Sequence, residues 1–339
     1  MEYKEAVKQI KQKQFLPIYL CYGTEKFLMN EFIQFLTNEF IDPVHKDFAL
    51  SLFDLNETSL DQVIEDVETL PFMVPNKLVV AKNASFLTGA RDKSKIEHQF
   101  EKLEKYTNSP VDYSVLILYV HTEKLDERKK IVKLLKKQNY IVSFPPLKPN
   151  ELTKWVLNRV KKNGNHISEQ AIETFILYAG TNLQTLTAEI EKCCLFAGVD
   201  QEITSEMIQQ LVVRSTEQNI FILVDEIVKK KLDKALAIFN TLLKQKEEPI
   251  KIVSLIARQF RIILQVKELS SKGYSQYQIA SQLSIHPYAV KIADGQGRIY
   301  HEQNLLDILD KLAELDFQMK SGQVDKVLGI EKFLFQVNM

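Results

Sequence analysis

The chain has little of what covalent or metal-based scaffolds need. It contains three cysteines, Cys21, Cys193 and Cys194. Their number is odd, two are neighbours in an apolar helical segment, and no CxxC occurs. They read as buried structural thiols of a reducing cytosol, which is the expected location. The six histidines are scattered, without HxxxH or HExxH, so no metal site is predicted. No segment reaches the ~18 consecutive apolar residues of a membrane span. The N-terminal MEYKEAVKQIKQKQ carries charge but no apolar stretch, so it is not read as a signal peptide. Nor is there an excess of either charge: 44 Lys and Arg balance 44 Asp and Glu. Global electrostatics therefore recruit neither nucleic acid nor membrane, and any basic surface must be local. No GxSxG, catalytic-triad spacing, fixed-period repeat or low-complexity tract is visible.

What is present is a hydrophobic fraction of 45% in 339 residues, enough for two or three domain cores. From 17 to about 145, short apolar runs at 17–22, 48–53, 78–82, 114–120 and 140–144 read as strands. Segments of helical period lie between them at 24–40, 59–70, 94–106 and 126–138. Continuous apolar strands alternating with helices predict a mainly parallel sheet covered on both faces. Pro145-Pro146 stops the pattern.

Beyond it everything reads as helix. Short helices are expected at 150–163, with Asn150 as cap candidate, at 168–178, at 183–196 and after the Thr204 cap. The third places Leu183, Leu186, Ile190 and Leu195 on one side. Longer helices follow at 218–229, 232–245, 248–271, 275–283, 287–293, 302–320 and 324–337. Linkers are expected near 145–149 and 212–217.

The stretch YLCYGTEKFLMNEF, 19–32, has the outline of a phosphate-binding loop: strand, glycine, helix. A working loop needs GxxxxGK[ST], whose amides cradle phosphate, whose lysine reaches the outer phosphates and whose hydroxyl holds magnesium. Gly23-Thr24-Glu25-Lys26 has one glycine and lacks that spacing. Glu25 suits the helix dipole but repels phosphate, and Lys26 reads as a solvated surface residue. The strand SVLILYV is followed by His121-Thr122-Glu123 rather than an acidic pair. Asp126-Glu127 reads as a helix start. No catalytic site, cofactor or metal is expected in this chain.

Several stretches then carry a resemblance across the whole length: YLCYGTEKFL at 19–28, LPFMVPNKLVVAKN at 70–83, KLDERKKIVKLLKK at 124–137 and GTNLQTLTAEIEK at 180–192. The long segment 219–265 and SIHPYAVK at 284–291 continue it. In order and spacing the chain resembles the delta-subunit family of the bacterial DNA polymerase III clamp loader, Gram-positive type. The resemblance implies an AAA+-like α/β domain at 1–145 without a working nucleotide site, an all-α lid at 146–212 and an all-α collar at 213–339. It implies a non-hydrolysing subunit that seizes the sliding clamp (the beta subunit) and opens one ring interface. It implies tau/gamma and delta-prime as sister subunits through the collar, and primer–template DNA bound without sequence preference. Membership of the DNA polymerase III holoenzyme, a nucleotidyltransferase, follows, with no membrane partner.

The family's clamp-binding element matches Leu70, Pro71, Phe72 and Met73. Where many relatives carry Leu-Phe, this chain has Pro71-Phe72 followed by Met73. Pro71 and Pro75 prevent a regular helix through the tetrad. A ring and a flexible thioether on a short loop suit insertion into a partner's pocket. The bland alternative puts both side chains in the helix–sheet core. Two rival functions stay open on the residues alone: a degenerate nucleotide hydrolase using Lys26, and a helix-turn-helix DNA regulator at 274–291, whose second helix is PYAVKIADGQGR. The second helix of the latter offers only Lys291 and Arg298 as basic groups.

Overall fold

Five apolar runs of the first 145 residues pair into one parallel sheet. The computed structural model describes residues 1–89, 96–214 and 216–338. It divides into two compact units, Met1–Pro146 and Leu147–Met339. The first contains α1 (Tyr3–Lys11), β1 (Ile18–Gly23), α2 (Lys26–Phe40), α3 (Lys46–Ala49), β2 (Leu50–Asp54), α4 (Leu60–Glu68), β3 (Lys77–Lys82), α5 (Phe100–Asn108), β4 (Ser114–Val120), α6 (Lys130–Lys137) and β5 (Ile141–Phe144). The strand order is β2-β3-β4-β1-β5, and every pairing is parallel. Strands β1, β3 and β4 are buried along nearly their whole length, as continuous apolar runs require.

Helices α4, α5 and α6 close the main core with Leu60, Val63, Val67, Leu103, Ile131 and Leu135. The helix predicted at 94–106 begins at Phe100; residues 94 and 95 lie outside the described ones. Helix α6 also starts later than 126. Asp126 instead closes a turn, its carboxylate accepting from the backbone and guanidinium of Arg128 at 3.1 and 2.9 Å. The Arg128 hydrogen bonds hold its pKa down to about 2.

The second unit comprises α7 (Pro149–Lys162), α8 (Glu169–Ala179), α9 (Leu183–Ala197), α10 (Ser205–Leu211), α11 (Thr216–Val228), α12 (Leu232–Lys244), α13 (Pro249–Ser271), α14 (Gln276–Leu283), α15 (Pro287–Gly297), α16 (Glu302–Lys320) and α17 (Lys326–Asn338). A two-residue ladder pairs β6 (His166–Ile167) with β7 (Glu202–Ile203). A parallel α/β unit followed by helices is the fold class expected. Asn150 does not cap α7. Pro149 takes the first helical position, and the Glu151 carboxylate accepts from the Lys148 amide at 3.1 Å. On α9, Leu183, Leu186 and Ile190 are buried, but Leu195 is exposed, and Cys193 and Cys194 complete the inner face instead. Helices α11 to α17 share one core running from Ile220 to Leu334, with Phe239, Phe260 and Phe333 in it.

Candidate functional site

Helix α4 is built by a Ser59 cap, whose hydroxyl accepts from the Gln62 amide, and by Leu60, Val63, Ile64 and Val67 at helical spacing, all buried. It stops at Thr69, whose hydroxyl bonds back to the Glu65 carbonyl at 2.7 Å, two residues before Pro71. β3 begins at Lys77. Between them the chain makes an irregular loop, and the sequence-predicted tetrad occupies its tip. Leu70, Phe72 and Met73 are 72%, 74% and 84% exposed, so the core alternative is not what the chain adopts. Met73 has φ +58°, a left-handed conformation rare for a side chain of this size.

The loop's base is fastened. Val74 is buried behind the tip. The Lys77 ammonium donates to the carbonyl and the carboxylate of Asp66 at 2.8 and 2.7 Å. The Tyr113 hydroxyl donates to the Glu68 carbonyl at 2.7 Å, and the Lys77 amide to the Tyr113 carbonyl at 2.9 Å. A fastened base under an exposed apolar tip limits the ordering entropy that binding would otherwise cost.

The second predicted constellation, Gly23-Thr24-Glu25-Lys26, lies elsewhere. It follows β1 at the carboxyl edge of the sheet, whereas the 69–76 loop precedes β3 at the amino edge. The two are separate sites. Gly23 has φ +152°, and a Cβ there would lie 2.0 Å from the Phe144 carbonyl oxygen. Its glycine is demanded by β5, with no phosphate needed to explain it. Thr24 and Lys26 are exposed. Burial pushes the Glu25 carboxyl up, against a hydrogen bond from the Phe27 amide. A carboxyl therefore occupies the N-terminus of α2, where a phosphate would have to come. Nearby His121 is held below its ordinary pKa by burial and by the Lys26 charge.

A further carboxylate at this edge, Asp54, is engaged. It accepts from Asn83 at 2.8 Å and from the Asn56 amide at 3.0 Å, and pairs with Lys82 at 3.1 Å. Burial raises its pKa, but these partners together hold it below the carboxylate range. Among the described residues no group of three or more His, Cys, Asp and Glu side chains is placed to hold a metal. None of their helices is long and apolar enough to cross a membrane.

The helix-turn-helix reading meets a packed second helix. Ser284 turns the chain at φ +54°, and α15 runs through both glycines to Gly297. Gly297 sits against Ile263 and Lys267 of α13, where a Cβ would find its neighbours at 3.4–3.7 Å. Arg298 is tied to Asp294 at 2.7 Å. Sequence reasoning did not single out the Lys77–Asp66 pair. The available signal was a lysine opening an otherwise continuous apolar strand.

Residues 19–145 match the family described as DNA polymerase III, delta subunit, and residues 217–337 its C-terminal domain. The DNA polymerase III subunit delta of Bacillus subtilis is 44% identical over 330 residues, 97% of this chain and 95% of that one. A probable DNA polymerase III subunit delta of Aquifex aeolicus is 20% identical over 76% of this chain and 72% of its own. The solved Bacillus subtilis DNA clamp loader delta protein superposes with a TM-score of 0.64, at 44% identity over 99% of each chain.

Proposed function

The chain belongs to the DNA polymerase III delta subunit family, and from that premise we propose that it grips the sliding clamp and opens one ring interface during clamp loading. The observation that carries the reading is the exposed loop tip of Leu70, Phe72 and Met73 on a fastened base. Burying Phe72 and Met73 in a preformed pocket would contribute roughly 1.5–3 kcal/mol each before costs. Pro71 keeps the tip out of helix. The AAA+-like first unit acts as a scaffold, because its Gly23 loop serves the sheet rather than phosphate. Energy for opening and release comes from nucleotide bound to sister subunits.

Those sisters, of tau/gamma and delta-prime type, are met through the helical region 213–339, taken as a collar and preceded by a lid at 146–212. Exposed Phe317 on α16 and Leu328 and Phe335 on α17 supply apolar surface for such contacts. Primer–template DNA is held within the assembly through phosphate contacts that are salt-sensitive and indifferent to sequence. The chain itself contributes no catalytic group.

Binding of the full chain to its cognate clamp, with and without ATP, tests the reading. Nucleotide-independent binding that is lost in the Phe72→Ala, Met73→Ala double variant is expected. Retained binding in that variant removes the loop from the interface. Binding that appears only with ATP returns a role to the Gly23 loop.

A further inference from the structure

One locally basic stretch of this neutral chain is α6 with the residue before it. Residues 129–137, KKIVKLLKK, hold five lysines and no acid. Three are engaged: Lys129 donates to the Phe86 carbonyl at 2.5 Å, Lys130 to Glu104 at 2.6 Å and Lys136 to Glu127 at 2.7 Å. Lys133 and Lys137 are both exposed, with no acidic partner among the described residues. Four residues apart, they share a helix face, and like charges at that spacing repel. The helix dipole accounts for a cation at Lys137, in the last turn, but not for Lys133.

Their place in the fold matters more than their number. The end of α6 leads into β5, as the end of α4 leads through the apolar loop into β3. All five strands are parallel, so both helix ends lie at the amino edge of the sheet. Helices α4, α5 and α6 are linked side by side, Lys102 to Asp61 and Glu65, then Lys130 to Glu104. From β3 to β5 there are three strand steps, about 14 Å at the usual spacing. That is well within one interface of ordinary size.

We propose that Lys133 and Lys137 form a cationic rim beside the Leu70–Met73 tip, meeting an acidic patch on the same ring-shaped partner and speeding its capture. The inference rests on the reading of the loop as the grip. Rim charges in water act mainly on the association rate and are screened by salt, whereas desolvated apolar contacts set dissociation. The loop and the rim therefore have separable kinetic signatures. Duplex DNA is the rival acidic surface; the observation favouring the clamp is the shared sheet edge.

The test is association and dissociation kinetics of the full chain with its cognate clamp at low and high salt. Lys133→Glu, Lys137→Glu is expected to slow association roughly tenfold at low ionic strength, with dissociation unchanged and the difference fading at ~0.5 M salt. Lys133→Gln, Lys137→Gln should fall between, and both variants should match the parent in thermal unfolding. A clamp-binding chain whose association ignores these lysines at every salt concentration overturns the rim alone. So does a defect confined to primed DNA. A chain whose clamp binding survives loss of Phe72 and Met73 overturns the grip reading, whatever the lysines do.

Discussion

Lys77 ties β3 to α4: its ammonium bonds both the carbonyl and the carboxylate of Asp66, at 2.8 and 2.7 Å, directly beneath the exposed loop. The lysine side chain is only 9% exposed. Lys77→Met would leave the Asp66 carboxylate without its cation. We expect a loss of roughly 1–3 kcal/mol, read as a lower denaturant midpoint at unchanged slope. Clamp affinity should fall as well, because the loop's base loosens.

The loop tip behaves differently. Phe72 and Met73 bury little in the chain itself, so Phe72→Ala should change stability by less than about 0.5 kcal/mol. On the proposed grip reading its effect belongs to the partner. A loss of about 2 kcal/mol there means roughly thirtyfold weaker clamp binding, mostly through faster dissociation. A large fall in unfolding midpoint would instead show that Phe72 packs inside.

Gly23 separates scaffold from nucleotide site. Gly23→Ala drives a Cβ to 2.0 Å from the Phe144 carbonyl oxygen. Either β1 and β5 part or the backbone is strained, at a cost of about 2–4 kcal/mol in global stability. Lys26→Ala, at an exposed position, should leave stability and clamp binding unchanged. A nucleotide affinity abolished by Lys26→Ala would contradict the scaffold reading.

His286 gives a pH test. Its Nδ1 accepts from the Tyr288 amide at 3.3 Å, so the ring proton sits on Nε2, 3.2 Å from the Thr153 hydroxyl. Burial holds its pKa below the ordinary value. Below pH ~6.5 the unfolded chain takes up a proton that the native ring refuses, so stability falls with acid until the lower native pKa is passed. Nearby Glu173, raised by burial, acts in the opposite sense. Unfolding of the parent and of His286→Asn, compared at pH 7.5 and 5.5, should show a smaller acid loss in the variant. Asn can still cap α15.

The five strands and most helices were legible because each carries its own apolar period and its own stops. That the Gly23 loop departs from the GxxxxGK[ST] spacing was legible from the residues alone. Helix α1 was missed although Tyr3, Ala6, Val7 and Ile10 have helical spacing, and Ala6 and Ile10 are fully buried. Its charge drew attention to what it was not. The exposure of Phe72 could not be read from residues, because Leu-Pro-Phe-Met fits a core as well as a tip. Leu195 failed in the other direction: it keeps apolar spacing on α9 and still faces water. In both cases the decision depends on which neighbours the chain brings near, and periodicity does not encode that.

Met73 has a consequence for how this chain could be engineered. A left-handed backbone at a bulky, exposed residue costs the isolated chain on the order of 1 kcal/mol. Screening for thermal resistance alone would replace it with glycine or asparagine and score the change as an improvement. The same screen would strip the tip of its thioether. On the proposed grip reading, position 73 is a place where laboratory selection for durability and selection for clamp binding pull the sequence in opposite directions.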